Sequence, residues 1–262
     1  MIVAATLGLG LLIGLSLGAL GGGGSILTVP ALVYVVGQDA QAATTSSLFI
    51  VGITSVIAAL GHARSGRVRW GLGVVFGATG IAAGFAGTAA NQLVDPDVLL
   101  LAFAAVIVVA AAGMLARTRR DDTPPPPDTT VRTRHWTAGR IGRVVGAGLL
   151  VGFMTGFFGV GGGFVIVPAL TLALGLPMPQ AVATSLVVIS INSAGALLAR
   201  AGTAHFDWSV IVPFTLAAVA GSLGGKVVAD RVSGTTLTRA FAVLLLAVAG
   251  YTATSSLVAL LG

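Results

Sequence analysis

Cysteine and glutamate are both absent from these 262 residues, and only 8% of the side chains are charged. Without cysteine the chain has no disulfide framework, no thiolate metal site and no cysteine nucleophile. With no glutamate, and none of the eight aspartates placed mid-helix, no acidic group is expected at membrane depth. Catalytic constellations are missing too: the three histidines read as scattered in loops, no histidine-carboxylate cluster has metal spacing, and no serine has a base at hand. These absences argue against an enzyme and leave no cofactor to expect. They also limit where charge falls. None occurs in Met1–Gly37, Val98–Ala116, Val144–Ala199 or Ala240–Gly262, each long enough for a spanning helix of about 20 residues.

What is present is apolar. At 56% hydrophobic content and a mean hydropathy of +1.02, the chain cannot hide its apolar surface in a water-soluble core, so lipid is its solvent. The N-terminal run lacks a preceding basic residue and a following polar segment, which marks it as a retained helix and not a secretory signal. A net charge of +6 would suggest nucleic acid in a soluble protein. Here the basic residues are confined to short connectors, as the positive-inside rule requires, so a lipid bilayer and no nucleic acid is the expected environment.

The chain repeats itself. Gly14, Gly18, Gly21, Gly23, Gly24, Pro30 and Gly37 match Gly152, Gly156, Gly159, Gly161, Gly162, Pro168 and Gly175 at an offset of 138 (168 less 30). Ser47, Ser55, Trp70 and Gly87 pair with Ser185, Ser193, Trp208 and Gly225 at the same offset without a gap. The domain organisation follows: a first membrane repeat over residues 1–116, a Pro- and Arg-rich cytoplasmic linker over 117–139, and a second repeat over 140–262. The linker, with Pro124 to Pro127, reads as extended and exposed.

Each half reads as a first helix (2–20 and 141–158), a glycine break, a short piece of about 11 residues and three further helices. Those are expected at 42–63, 70–93 and 98–116, and again at 180–199, 208–229 and 236–260. The short piece reaches only about 17 Å, roughly half the hydrocarbon thickness, so it reads as a re-entrant half-helix. If that piece makes the halves inverted, Arg64, Arg67, Arg69, the seven arginines from Arg117 to Arg143, Lys226, Arg231 and Arg239 share one side and only Arg200 opposes them. Four simple crossings per half would instead misplace Lys226, Arg231 and Arg239. The expected fold is therefore all-α and integral to the membrane. Its two homologous repeats are inverted, with both termini outside and about 8 to 10 helical segments in all.

The glycine runs Gly21–Ser25 and Gly159–Gly163 break helices and leave amides bare, which lipid does not tolerate unless they are buried or line a wet cavity. A half-helix N-terminus formed there would aim amides and a positive dipole end at an anion. Close helix packing by small residues is the competing explanation. Candidate anion ligands are Gly22, Gly23, Gly24 and Ser25 with Gly161, Gly162 and Gly163. The hydroxyls of Thr45, Ser46 and Ser47, matched by Thr184 and Ser185, add hydrogen-bond donors, and Asn192 with its counterpart Thr54 lies two turns further on. Arg200, Lys226, Trp70 and Trp208 read as interface anchors.

The paired runs Gly21 to Pro30 and Gly159 to Pro168, followed by Ser47-Leu48 and Thr184-Ser185-Leu186, resemble the sulfite exporter TauE/SafE family, also called the four-toluene sulfonate uptake permease family. The resemblance covers nearly the whole chain outside the linker. It implies a secondary transporter of small anions in the cytoplasmic membrane, often of sulfur-containing ones such as sulfite, thiosulfate or organosulfonates. Ser25 stands where the second run has Gly163, so the halves are expected to contribute unequally. An anion channel and an integral membrane enzyme are the alternatives; saturable counterflow distinguishes a carrier from a channel.

Overall fold

The computed structural model describes residues 2–91, 93–94, 96–120, 138–158, 163–200 and 206–261. Among them the chain forms ten α-helices: α1 Ile2–Leu20, α2 Gly23–Tyr34, α3 Ala40–Ala63, α4 Trp70–Asn91, α5 Pro96–Arg120, α6 Ala138–Phe158, α7 Gly163–Pro168, α8 Met178–Ala199, α9 Trp208–Arg231 and α10 Gly234–Leu261. A π-helical turn, Ala169–Ala173, continues α7. No strand occurs among the described residues. Six helices, α3, α4, α6, α8, α9 and α10, are long and apolar enough to cross a membrane. Helix α5 runs on to Arg120 and α6 starts at Ala138, so helix enters both ends of the stretch expected as linker.

The two sets of five keep one register: α8, α9 and α10 begin 138 residues after α3, α4 and α5 (208 less 70 for α9). Local chemistry explains several starts. Asp39 accepts from the amides of Gln41 and Ala42 at 3.0 and 2.9 Å, and Asp207 accepts from Ser209 N–H at 3.1 Å, each serving as an N-cap. Pro177 precedes α8, and Ser233 Oγ accepts the Thr236 amide at 3.2 Å at the start of α10. Inside the helices, hydroxyls are satisfied by carbonyls four residues back, as in Thr155 to Val151 and Ser190 to Leu186.

Glycine lets helices cross closely and reveals their directions. A Cβ on Gly14 would fall 2.0 Å from the Ala218 carbonyl oxygen, and one on Gly18 2.0 Å from that of Ser222. Residue numbers in α1 and α9 rise together, so the two run parallel. The same crossing recurs in α4 and α6, where Gly152 meets Gly80 O at 2.2 Å and Gly156 meets Gly84 O at 2.0 Å. Gly73 against Val187 and Gly77 against Ile191 make α4 parallel to α8. Phe49 against Trp208 and Gly61 against Lys226 make α3 parallel to α9. Between α3 and α8 the order reverses: Gly52 meets Ser193 while Thr45 meets Arg200. Thus α1, α3 and α9 point one way and α4, α6 and α8 the other. Since α1 and α3 agree in direction, α2 and residues 35–39 must carry the chain back between them. The twelve helical residues of α2 rise about 18 Å, and the turn at 35–36 with residues 37–39 extends the return further.

The interior is filled by Phe76, Phe164, Phe214 and Phe241, all buried. Outward, Leu12, Val109, Leu150, Leu216 and Val243 are exposed, an apolar surface that suits lipid. Trp70 and Trp208, in the first turns of α4 and α9, are also about half exposed, as belt residues are.

Candidate functional site

The two glycine breaks meet. Gly21 has a φ of +70°, a left-handed turn that suits a residue without Cβ, and it ends α1 by donating to Leu17 O at 2.8 Å. The next residue, Gly22, precedes α2, and a Cβ there would lie 1.5 Å from Gly163 O at the start of α7. Two half-helix N-termini, one from each repeat, are thus in backbone contact. Ser25 donates to Gly22 O at 2.7 Å, and its Oγ lies 2.2 Å from where a Cβ on Gly163 would be. The serine of one run therefore occupies the space that the other run leaves by having glycine. Ser185 of α8 completes the group: its Oγ is 2.5 Å from the position of a Gly21 Cβ, and it donates to Val182 O at 2.8 Å.

Apart from the half-buried Ser25 this cluster is buried, and the N-terminus of α2 has no side-chain cap. Its first amides have no partners within the helix, because no earlier carbonyl lies in register. Gly23 and Gly24 differ in their surroundings. A Cβ on Gly23 would meet the tip of Leu244 at 2.8 Å, whereas one on Gly24 would meet the α1 backbone at Ile13 O and Leu17 N, 2.6 and 2.7 Å away. Gly24 therefore packs α2 against α1. Gly161 and Gly162 lie outside the described residues.

The remaining predicted residues are placed apart. Thr184, fully buried, accepts the Arg69 amide at 3.2 Å and so faces the α3–α4 turn. Thr45 donates to Gln41 O at 3.0 Å and accepts from Arg200 at 3.2 Å; Ser47 donates to Thr44 O at 2.8 Å. Ser46 Oγ, Thr54 Oγ1 and Asn192 Oδ1 are buried without a hydrogen-bond partner. Asn192 faces Gly80 of α4, 3.5 Å from where a Cβ would sit. Leaving such groups unpaired is costly, of the order of 1–3 kcal/mol each.

Three features were not foreseen. Arg200, expected as an interface anchor only, also bonds Thr45. His62, expected in a loop, is 1% exposed in the last turn of α3, with Nε2 3.0 Å from Gly18 O. Arg67 and Lys226 both pair with Asp230, Lys226 at 2.6 Å. Only the Lys226–Asp230 pair left a trace in the sequence, the spacing of four that suits a helical ion pair.

Two glycine-led helix N-termini in backbone contact inside an apolar, all-helical protein suit the broad class of helical membrane transporters. The comparisons narrow that class. The family model for the sulfite exporter TauE/SafE matches residues 6–252, and the chain belongs to that family of membrane transporters. A probable membrane transporter protein of Xylella fastidiosa (strain Temecula1 / ATCC 700964) is 33% identical over 251 residues, 94% of this chain and 93% of that one. Probable membrane transporter proteins of Bacillus subtilis and Methanocaldococcus jannaschii are similar at 26% over 83% of this chain and 84% of theirs, and at 27% over 72% and 68%. No solved structure matches.

Proposed function

We propose that the chain is a secondary carrier of small, sulfur-containing anions such as sulfite, thiosulfate or an organosulfonate across the cytoplasmic membrane. In this reading its two repeats are inverted and hold the anion where their half-helices meet. The observation that carries the proposal is the buried, uncapped N-terminus of α2, pressed against the start of α7 and beside Ser25 and Ser185. Amides there donate to an oxyanion without adding a fixed charge that would hold it too tightly. The family name supports a sulfur oxyanion, and the relatives are named as transporters and not as enzymes. Opposed helix directions for α1 and its counterpart α6 support the inversion, in which exchange of roles between the halves would alternate access. The halves already differ: α2 packs on α1 through Gly24, whereas an apolar groove of about 440 Å³ separates α6 from α7 and the π-turn.

Saturable counterflow of labelled thiosulfate or sulfite in proteoliposomes tests the reading; unsaturated flux would instead indicate a channel. In titrations of purified protein, Ser185→Ala should weaken binding by up to about tenfold, because the hydroxyl must give up its bond to Val182 O before it can donate to the anion. Unchanged affinity would remove Ser185 from the site. Orientation is tested separately. A cysteine replacing Ser65, in the arginine-rich α3–α4 turn, should resist impermeant thiol reagents in intact cells, while one replacing Val35 should react. The opposite pattern would invert the topology.

A further inference from the structure

We infer that His62 is a proton-binding site coupling this carrier to the proton gradient, an inference that rests on the carrier reading above. Imidazole is the side chain that ordinarily changes charge near neutral pH. This one is 1% exposed, and its Nε2 lies 3.0 Å from Gly18 O. A carbonyl only accepts, so Nε2 carries the hydrogen and donates. The other ring nitrogen, Nδ1, is buried with no hydrogen-bond partner. Gly18 belongs to the last turn of α1, three residues before the left-handed Gly21 that opens the first break. His62 therefore ties α3 to the helix that delivers the half-helix N-terminus.

Among the described residues, the charged groups that act on the ring are Lys226 and Asp230 of α9 and Arg67 of the turn after α3. Helices α1 and α2 bring no acidic or basic side chain. Asp230 already serves two cations, bonding Lys226 through Oδ2 at 2.6 Å and Arg67 through Oδ1. The Lys226 stem lies along α3, 3.2 Å from where a Cβ on Gly61 would be. These contacts fasten the C-terminal ends of α1, α3 and α9 together. A proton taken from water onto the lone pair of Nδ1 adds a third cation beside one carboxylate. Among the described residues Asp230 is the carboxylate that interacts with the ring, so the imidazolium draws it away from Lys226 and Arg67. Proton uptake thereby loosens the fastening at the end where the first break begins. The counterpart of His62 in the second repeat, at the same 138-residue offset, is Arg200, which stays charged. Of this matched pair, only the position in the first repeat can be switched in this way.

The test uses the full chain in liposomes, with thiosulfate counterflow followed at about pH 5.5 and about pH 8, either side of the ordinary imidazole range. Wild-type exchange is expected to be about tenfold faster at the lower pH, the response of a single protonation. His62→Gln keeps a donor for Gly18 O and removes the titration, so it should exchange with less than about a twofold dependence. A wild-type rate that does not vary with pH, or a His62→Gln variant with the wild-type dependence, overturns the inference. If the wild type shows no counterflow with thiosulfate or sulfite, the carrier reading fails, and the proton site is judged on ring resonances of histidine-labelled protein. The signal lost in His62→Gln should then move between those two pH values in the wild type, and a stationary signal overturns the assignment.

Discussion

Gly22→Ala is expected to weaken anion binding about a hundredfold or more, while Gly23→Ala, one residue on, stays within about threefold of wild type. The contrast comes from what each added methyl group meets. At Gly22 it would fall 1.5 Å from Gly163 O, a backbone atom that can move only if the two half-helix N-termini are pushed apart. At Gly23 it would meet the tip of Leu244 at 2.8 Å, a flexible end that can rotate away. Both variants lose one glycine from the same run and keep every amide, so neither glycine content nor donor number separates them. Only the approach of the two repeats does. Titration with thiosulfate and sulfite reads the affinity, and the melting temperature in detergent shows whether the fold survives. Equal binding by Gly22→Ala and wild type would mean that the meeting of the half-helices is not where the anion sits. Gly24→Val is a poorer probe than the sequence suggests, because its side chain would strike the α1 backbone and disturb the hairpin as well as any ligand.

Much of the fold was legible because the signals that reveal it are local or periodic. Charge-free runs gave the helices, and the offset read from Pro30 and Pro168 is the one separating the starts of α4 and α9 at Trp70 and Trp208. Helix ends were less legible: α5 continues through Arg117, whose guanidinium donates to the carbonyls of Thr171 and Gly175 at the end of the second half-helix. A polar, basic segment looked like linker because its partner lies 54 residues away. Which face each helix buries was harder still. In lipid the outward face is as apolar as the inward one, so the amphipathic stripe that orients a helix in a soluble protein is weak. The burial of His62 and the Arg67–Asp230 pair, 163 residues apart, depend on which helices are neighbours, and no pattern within one helix encodes that. At the candidate site, the glycine runs, Ser25 and Ser185 were identified from matched positions. That Ser25 fills the space beside Gly163 could be seen only once the two runs were brought together.

The same neighbour relations determine the second large effect, which concerns stability. Gly14→Val and Gly152→Val are each expected to cost about 3 kcal/mol or more, the upper range for overpacking a close contact, whereas Gly8→Val should be close to neutral. Gly14 and Gly152 are counterparts in the two repeats. Their added Cβ atoms would lie 2.0 Å from Ala218 O in α9 and 2.2 Å from Gly80 O in α4, inside another helix's backbone. Gly8, six residues before Gly14 on α1, has nothing within 4 Å of its Cβ position. Helix propensity cannot separate the three, since glycine to valine changes it alike at each mid-helix position. Nor can hydrophobicity, because a lipid-facing valine costs nothing in transfer. What remains is the distance between helix axes, which small residues permit and which membrane helices need, as lipid gives them no hydrophobic drive to associate. Melting curves of the three variants in one detergent read the difference. Similar losses at Gly8 and Gly14 would point to intrinsic propensity, and no loss at Gly152 would mean that α4 and α6 do not cross as α1 and α9 do.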